Sequence, residues 1–405
     1  MRRLWRKVSK SATDYSPIMN TYSRLPLSIQ KGKGTTVWSD RNEAYLDFTS
    51  GIATCNLGHC PPQVQKALEK QLSNLWHTSN LYHVPKQQEL ARLLVEKSCF
   101  QQVFFCNSGA EANEAAIKLV RAYANNNRKK QASIVTFQQS FHGRTLATVA
   151  ATGQEKIKSG FDPMPEGFIH LPYNDYHSLQ TIRELDPTAV MLELLQGEGG
   201  VVPADPDWVK ELSTICKENG ILLVVDEVQT GMGRTGSLFL YEQYNVEPDI
   251  MTLAKGLGSG FPIGAMLAKE EVAAAFKPGM HGSTFGGNPL ACTAGFETLK
   301  IVSEESFLKN VATQSEFLHT QLENLLADFF FIKEKRGKGM LIGLEINGDA
   351  IDIVKIALEE KLLLLPAGPN VVRLLPPLTI SQKEVITFVQ KFIKVLQQYG
   401  EAEHG

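Results

Sequence analysis

Between residues 51 and 295, short β-branched and apolar runs alternate with longer stretches of helical periodicity. Val103–Cys106, Ser133–Phe137, Ala189–Leu194, Ile221–Asp226 and Ile250–Ala254 are almost continuously apolar, the pattern of strands covered on both faces. Between them, Glu111–Ala124 sets Ala112, Ala116, Leu119, Val120 and Tyr123 on one helical face. Trp208–Asn219 is a second helical stretch, with Gly220 placed to end it. Strands and helices in alternation predict an α/β fold on a mostly parallel sheet.

The two ends of the chain read differently. The segment TTVWSDRNEAYLDF (35–48) predicts a hairpin turning at Asp40–Asn42. Beyond residue 296, amphipathic helices flank short strands at Met340–Ile346 and Val371–Leu374, the pattern of a smaller α+β domain. The expected organisation is a large domain over 51–295, a small domain over 296–405, and an N-terminal segment, 1–50, packing with the small one.

Charge and cysteine content exclude several classes of protein. With 41 basic and 43 acidic residues, the net charge of −2 lacks the basic excess of nucleic-acid or membrane-surface binders. No apolar run approaches the ~18 residues of a membrane span. The basic start, MRRLWRKVSK, has no apolar stretch behind it, and Asp14 interrupts it early, so the cytoplasm is expected. The six cysteines are scattered and include no C-x-x-C pair, which predicts reduced thiols and no metal site. His59, His77, His83 and His142 likewise show no metal-binding spacing and read as packing or hydrogen-bonding groups.

One glycine motif misleads. Gly231–Gly236 spells G-x-G-x-x-G, but four residues separate it from the strand end at Asp226 and no helix start follows. A dinucleotide fingerprint needs both neighbours, so a plain glycine-rich active-site loop is expected instead. Asn107-Ser108-Gly109-Ala110 is better placed, joining a strand to the helix that starts near Glu111. The open N–H groups of a helix start suit a phosphate, and Gly109 lets it come close. The same residues also suit a plain N-cap.

Asp226 stands at the carboxyl end of an apolar strand, where open α/β sheets bind ligands. Lys255 stands at the end of the next strand-like run, before a glycine-rich turn. Burial there lowers a lysine's pKa and makes its amine a nucleophile, although a snorkelling surface lysine fits the local pattern too. A phosphate cup, an acid and a nucleophilic lysine on three strand ends together suit pyridoxal phosphate, which needs all three.

Many ordered segments support a family resemblance. They are LGHCPP (57–62), LWHTSNLYH (75–83), FFCNSGAEANEAAIKL (104–119), QSFHGRTLA (139–147), QGEGG (196–200), VVDEVQTGMGRTG (224–236), DIMTLAKGLGSGFPIGAM (249–266), HGSTFGGNP (281–289) and RGKGMLIGLE (336–345). From about Tyr22 onward the chain resembles the class III, ornithine-type aminotransferases of the fold-type I pyridoxal-phosphate enzymes. LLPAGPNVVRLLPPL (364–378) is similar to the acetylornithine branch of that class.

The resemblance implies an activity and a set of roles. The implied substrates are acetylornithine and 2-oxoglutarate, with ornithine, succinylornithine and succinyldiaminopimelate as rival donors. Lys255 is implied to hold the cofactor and shuttle the proton, and Asp226 to pair with the ring nitrogen. Gln229 is implied at the ring's phenolic oxygen, Phe141 against the ring face, and Ser108, Gly109 and Ala110 at the phosphate. Thr284, beside Ser283, is implied to reach the phosphate of a neighbouring subunit in a homodimer with shared sites. Arg144 is implied to bind a substrate carboxylate, Glu198 and Arg373 to form a pair that opens for the keto acid, and Tyr22 to line the same pocket.

Overall fold

The computed structural model describes residues 17–127 and 132–404. The basic start of the chain, and the localisation expected from it, lie outside these residues. A seven-stranded sheet forms the centre: β1 (Gln102–Cys106), β2 (Ile134–Phe137), β3 (Phe168–Leu171), β4 (Ala189–Leu192), β5 (Leu222–Asp226), β6 (Ile250–Leu253) and β7 (Gly264–Ala268). Their order across the sheet is β1-β7-β6-β5-β4-β2-β3. Every strand but β7 runs the same way, and β7 is antiparallel to both its neighbours. The turn after Leu253 is too short for the crossover that a parallel return requires, so β7 folds straight back.

This arrangement is the mixed α/β sheet of the fold-type I enzymes. The sequence pattern marked five of its strands to within two residues. It missed β3 and β7; GAMLA in β7 has no β-branched or aromatic residue and so carries little strand preference. Helix α1 (Gly109–Asn126) packs across β6 and β7. Its inward face is Ala112, Ala115, Ala116, Leu119 and Val120, all buried, and the alanines let the helix axis come close to the sheet. Pro206–Asn219 is the second expected helix, closed by Gly220 at φ 63°.

A separate apolar core lies towards the C-terminus, around the antiparallel strands Ile332–Lys338, Leu341–Ile346 and Val371–Leu374. Leu46 and Phe48 join it. Thr36–Ser39 and Ala44–Asp47 form the expected hairpin, and Leu46 and Asp47 pair in parallel with Leu362 and Leu363. Phe48 stacks on Phe388 at 3.9 Å between ring centres.

The Gly231–Gly236 loop departs from expectation. It does not line the central cavity. Arg234, fully buried, donates instead to the carbonyls of Met340 (3.1 Å) and Pro376 (2.5 Å) and to Asn56 Oδ1 (2.8 Å). The loop therefore braces the large sheet against the C-terminal core. A buried guanidinium needs several acceptors, and three backbone and amide oxygens supply them.

Candidate active site

Because β1, β2, β4, β5 and β6 point the same way, their carboxyl ends open on one edge of the sheet. A cavity of about 380 Å³ lies there, walled by the start of α1, Phe141, Asp226, Gln229 and Lys255. A wider cavity of about 1050 Å³ shares Phe141 and Arg144 with it and reaches Glu198.

At one end of the inner cavity is the start of α1. Ser108 is its N-cap, accepting from the Glu111 amide at 3.2 Å. That satisfies one first-turn N–H; the amides of Gly109 and Ala110 have no intrahelical acceptor and stay open to an anion. The N-cap and the anion-cradle readings therefore hold together. Gly109 has no room for a side chain, since a Cβ would lie 2.8 Å from Val228 Cγ1.

Asp226 lies across the cavity, buried and held by three donors. Its Oδ2 accepts from Asn113 Nδ2 (2.7 Å) and His142 Nδ1 (2.8 Å), and its Oδ1 from the Val228 amide (3.0 Å). Asn113 is fixed in turn, its Oδ1 accepting from Thr252 Oγ1 at 2.7 Å. A carboxylate with this many donors is held in one orientation at the cavity wall.

Lys255 follows β6 with a left-handed backbone, φ 37°. A non-glycine residue in that region is strained, and such strain persists only where surroundings enforce it. Gly256 is pressed against Asn56, where a Cβ would come within 2.3 Å of Nδ2. Burial lowers the pKa of the Lys255 amine; Glu198 opposes this and Arg373 adds to it. The amine is thus closer to its nucleophilic, neutral form than a surface lysine.

Glu198 and Arg373 meet as a two-bond pair, Nη1 to Oε1 at 2.8 Å and Nη2 to Oε2 at 3.2 Å. Arg373 Nη1 also reaches the Gly197 carbonyl (2.7 Å) and Gln229 Oε1 (3.0 Å). Gln229 Nε2 donates back to Glu198 Oε1 at 3.2 Å. Burial alone would raise the Glu198 carboxyl, but the charge and bonds of Arg373 outweigh it and hold the group low. Arg144 contrasts with Arg373: it is exposed, its guanidinium 5.5 Å from the Phe141 ring centre, with no ion pair among the described residues.

The structure gathers Ser108, Gly109, Ala110, Phe141, Arg144, Asp226, Gln229 and Lys255 at the inner cavity, with Glu198 and Arg373 bonded to Gln229. Ser283 is one step away, its Oγ 3.2 Å from Asn107 Nδ2. Thr284 is exposed and turned to the 77–80 segment instead. Tyr22 is 71% exposed, its ring against Arg24 rather than at the cavity. Sequence reasoning passed over Asn113 and Glu193 and read His142 only as a packing or hydrogen-bonding group, without its tie to Asp226. An amide on the alanine-rich inner face of α1 was the available signal for Asn113.

These groups fit pyridoxal phosphate: open amides for a phosphate at one end, an oriented carboxylate for a ring nitrogen at the other, and a desolvated amine between. Comparisons with known proteins agree. The family described as Aminotransferase class-III matches residues 18–396. Among curated proteins, the chain is 54% identical over 391 residues to the acetylornithine aminotransferase of Oceanobacillus iheyensis, covering 96% of this chain and 98% of that one. It is 49% identical to that of Bacillus subtilis, covering 95% and 99%. Among solved structures, the N-acetylornithine aminotransferase of Stenotrophomonas maltophilia superposes with a TM-score of 0.83 at 37% identity, covering 94% of this chain and 98% of that one. The ornithine aminotransferase of Toxoplasma gondii, with pyridoxal phosphate partly occupying its active site, superposes at 0.91 and 32% identity, covering 95% and 93%.

Proposed function

The chain belongs to the class-III aminotransferase family, and on that footing we propose that it moves the terminal amino group of N2-acetyl-L-ornithine to 2-oxoglutarate. The products are N-acetyl-L-glutamate 5-semialdehyde and glutamate, a step of arginine biosynthesis. The curated relatives near 50% identity carry the acetylornithine name. Pyridoxal phosphate is the cofactor; bound, it supplies an aldehyde that exchanges for an amine and a ring that accepts electron density.

The protein's own groups do the rest. Ser108, Gly109 and Ala110 would hold the phosphate, Phe141 would cover the ring face, and Asp226 would pair with the ring nitrogen. Gln229 would hydrogen-bond the ring's phenolic oxygen. Lys255 Nζ would hold the cofactor's aldehyde carbon, and its amine is placed to take the proton from the donor carbon that bears the terminal amine.

The observation that carries the substrate reading is the contrast between the two arginines. Arg144 is open and suits the donor's α-carboxylate, whereas Arg373 is masked by Glu198. A donor reacting at its far amine has one carboxylate to place, so one free guanidinium is enough. 2-Oxoglutarate has two, and its entry releases Arg373 for the α-carboxylate while Arg144 takes the distal one. Arg373, only 1% exposed, would be costly to leave unpaired, which favours a pair that opens only on demand. The wider cavity beside Arg144 has room for the acyl arm.

The working unit is a homodimer with shared sites in this proposal. Thr284, exposed and outside its own cavity, would reach the partner's phosphate, and Trp76, Leu81, Tyr82 and Phe285 leave apolar surface exposed. Ser283 and Tyr22 complete the substrate pocket on assembly. Among the described residues no helix is long and apolar enough to cross a membrane. We place the enzyme in the cytoplasm.

The test follows the bound cofactor's absorbance in single half-reactions. Acetylornithine, ornithine, succinylornithine and succinyldiaminopimelate are presented in turn. The expected result is the highest rate constant over dissociation constant for acetylornithine. A higher value for any of the other three reassigns the substrate.

A further inference from the structure

Glu193 has no part in the roles above, yet its carboxylate joins the two halves of the site. It follows β4 directly and is 5% exposed. Its Oε1 accepts from the Phe141 amide at 2.8 Å and its Oε2 from the Gly197 amide at 3.2 Å. Its own carbonyl accepts from the half-buried Tyr173 hydroxyl at 2.7 Å. One side chain therefore spans the loop carrying Phe141 and the turn carrying Glu198, from an anchored backbone.

The turn has little other freedom. The Gly197 carbonyl accepts from Arg373, and its Cα is packed so closely on Gln229 that a Cβ would lie 2.6 Å from Cδ. Holding the Gly197 amide thus fixes where Glu198 begins, and where Glu198 begins decides whether its two oxygens reach both Arg373 nitrogens. A carboxylate is the one side-chain group of this size that accepts on both arms. An amide of the same shape would turn its NH₂ towards one of two N–H groups.

We propose that Glu193 is a positioning residue for substrate selection: by tethering Gly197 it seats Glu198 on Arg373 and so keeps the masked state closed to α-carboxylates in the donor half-reaction. The inference rests on the masking role given above to Glu198 and Arg373. Loosening the tether exposes Arg373, and an α-amino acid such as glutamate then competes better as amino donor. Phe141, on the other arm, should also become less firmly held.

The test compares the wild-type holoenzyme with Glu193→Gln, Glu193→Asp and, as a control on the mask itself, Glu198→Gln. The readout is the ratio of kcat/KM for acetylornithine over glutamate in single half-reactions. Glu193→Gln is expected to lower that ratio about tenfold or more, as for loss of one hydrogen bond to a charged group. Glu193→Asp keeps the charge but spans only one of the two amides, and should lower it similarly. Deuterium uptake by peptides covering 139–145 and 195–200 in the cofactor-free protein should speed up in both variants.

An unchanged ratio in both Glu193 variants, with the ratio altered in Glu198→Gln, overturns the tether and leaves the mask standing. An unchanged ratio in Glu198→Gln overturns the mask instead. Faster exchange with an unchanged ratio means that the tether exists without selecting substrate, and also refutes the proposal. Failure of both Glu193 variants to fold makes the role purely structural, with the same consequence.

Discussion

His142 places Nδ1 2.8 Å from Oδ2 of Asp226, while its Nε2 is buried without a partner. A carboxylate only accepts, so the proton of this bond sits on Nδ1. The imidazole thus donates its single bond to the carboxylate assigned to the cofactor's ring nitrogen and makes no second one. That geometry makes His142 an orienting group for Asp226, beside Asn113 and the Val228 amide.

Replacing His142 by leucine should therefore impair chemistry more than binding. Hydrogen bonds to charged groups contribute roughly 1.5–3 kcal/mol, so proton removal from the donor should slow by about 10- to 150-fold. Single-turnover absorbance measurements at saturating donor check it. An unchanged rate constant would make the contact structural only.

Lys255→Ala should abolish turnover, because the same amine is assigned the cofactor's aldehyde carbon and the proton transfer. A fall of several orders of magnitude is expected. Steady-state rates with acetylornithine measure this directly. Retention of a tenth of the wild-type rate would refute the assignment.

The two arginines should separate when each is changed to lysine, which trades a planar two-bond fork for a point charge. Arg144→Lys should lower kcat/KM by roughly 10- to 150-fold for both substrates, since each places a carboxylate there. Arg373→Lys should harm the 2-oxoglutarate half-reaction far more than the donor half-reaction, in which Arg373 stays on Glu198. Equal losses in the two halves for Arg373→Lys would contradict the division of roles.

Glu227 provides a pH test independent of activity. Its carboxylate is buried, accepting from the amides of Leu240 and Tyr241, both at 2.8 Å, and burial pushes its pKa from 4.5 up to about 7. Between those two values the folded protein holds a proton that the unfolded chain releases, so stability falls as pH rises through the window and levels off above it. The full effect is about 3 kcal/mol at 1.36 kcal/mol per pKa unit. Glu227→Gln cannot titrate, so its melting temperature relative to wild type should climb between pH 5 and 8. A constant difference across that range would place the carboxyl at its ordinary value.

Much of the site was legible because it is local. Asp226, Lys255 and the Ser108–Ala110 turn each end a strand, and the residues just past a strand in a parallel sheet face its binding edge whatever the rest of the chain does. The Glu198–Arg373 pair was legible only through family resemblance, since its members are far apart in sequence and on different layers. Asn113, His142 and Glu193 were illegible as a group. Each looks ordinary where it stands, and only the packing of α1 and two loops against β5 brings them to one carboxylate or one pair of amides.

The sequence by itself determined the alternation of strand and helix, the strand-end placement of the chemical groups, and the pairing of the N-terminal hairpin. These follow from local apolar periodicity and turn chemistry, which act over a few residues. The packing of distant segments decided that Arg234 braces the C-terminal core rather than a ligand, and that Arg373 is masked while Arg144 stays open. It also left Thr284 and Tyr22 outside the cavity of their own chain. For the buried Arg234 and Arg373 the outcome depends on which distant segment supplies the hydrogen-bond partners, and satisfying buried polar groups is a property of the whole packed interior.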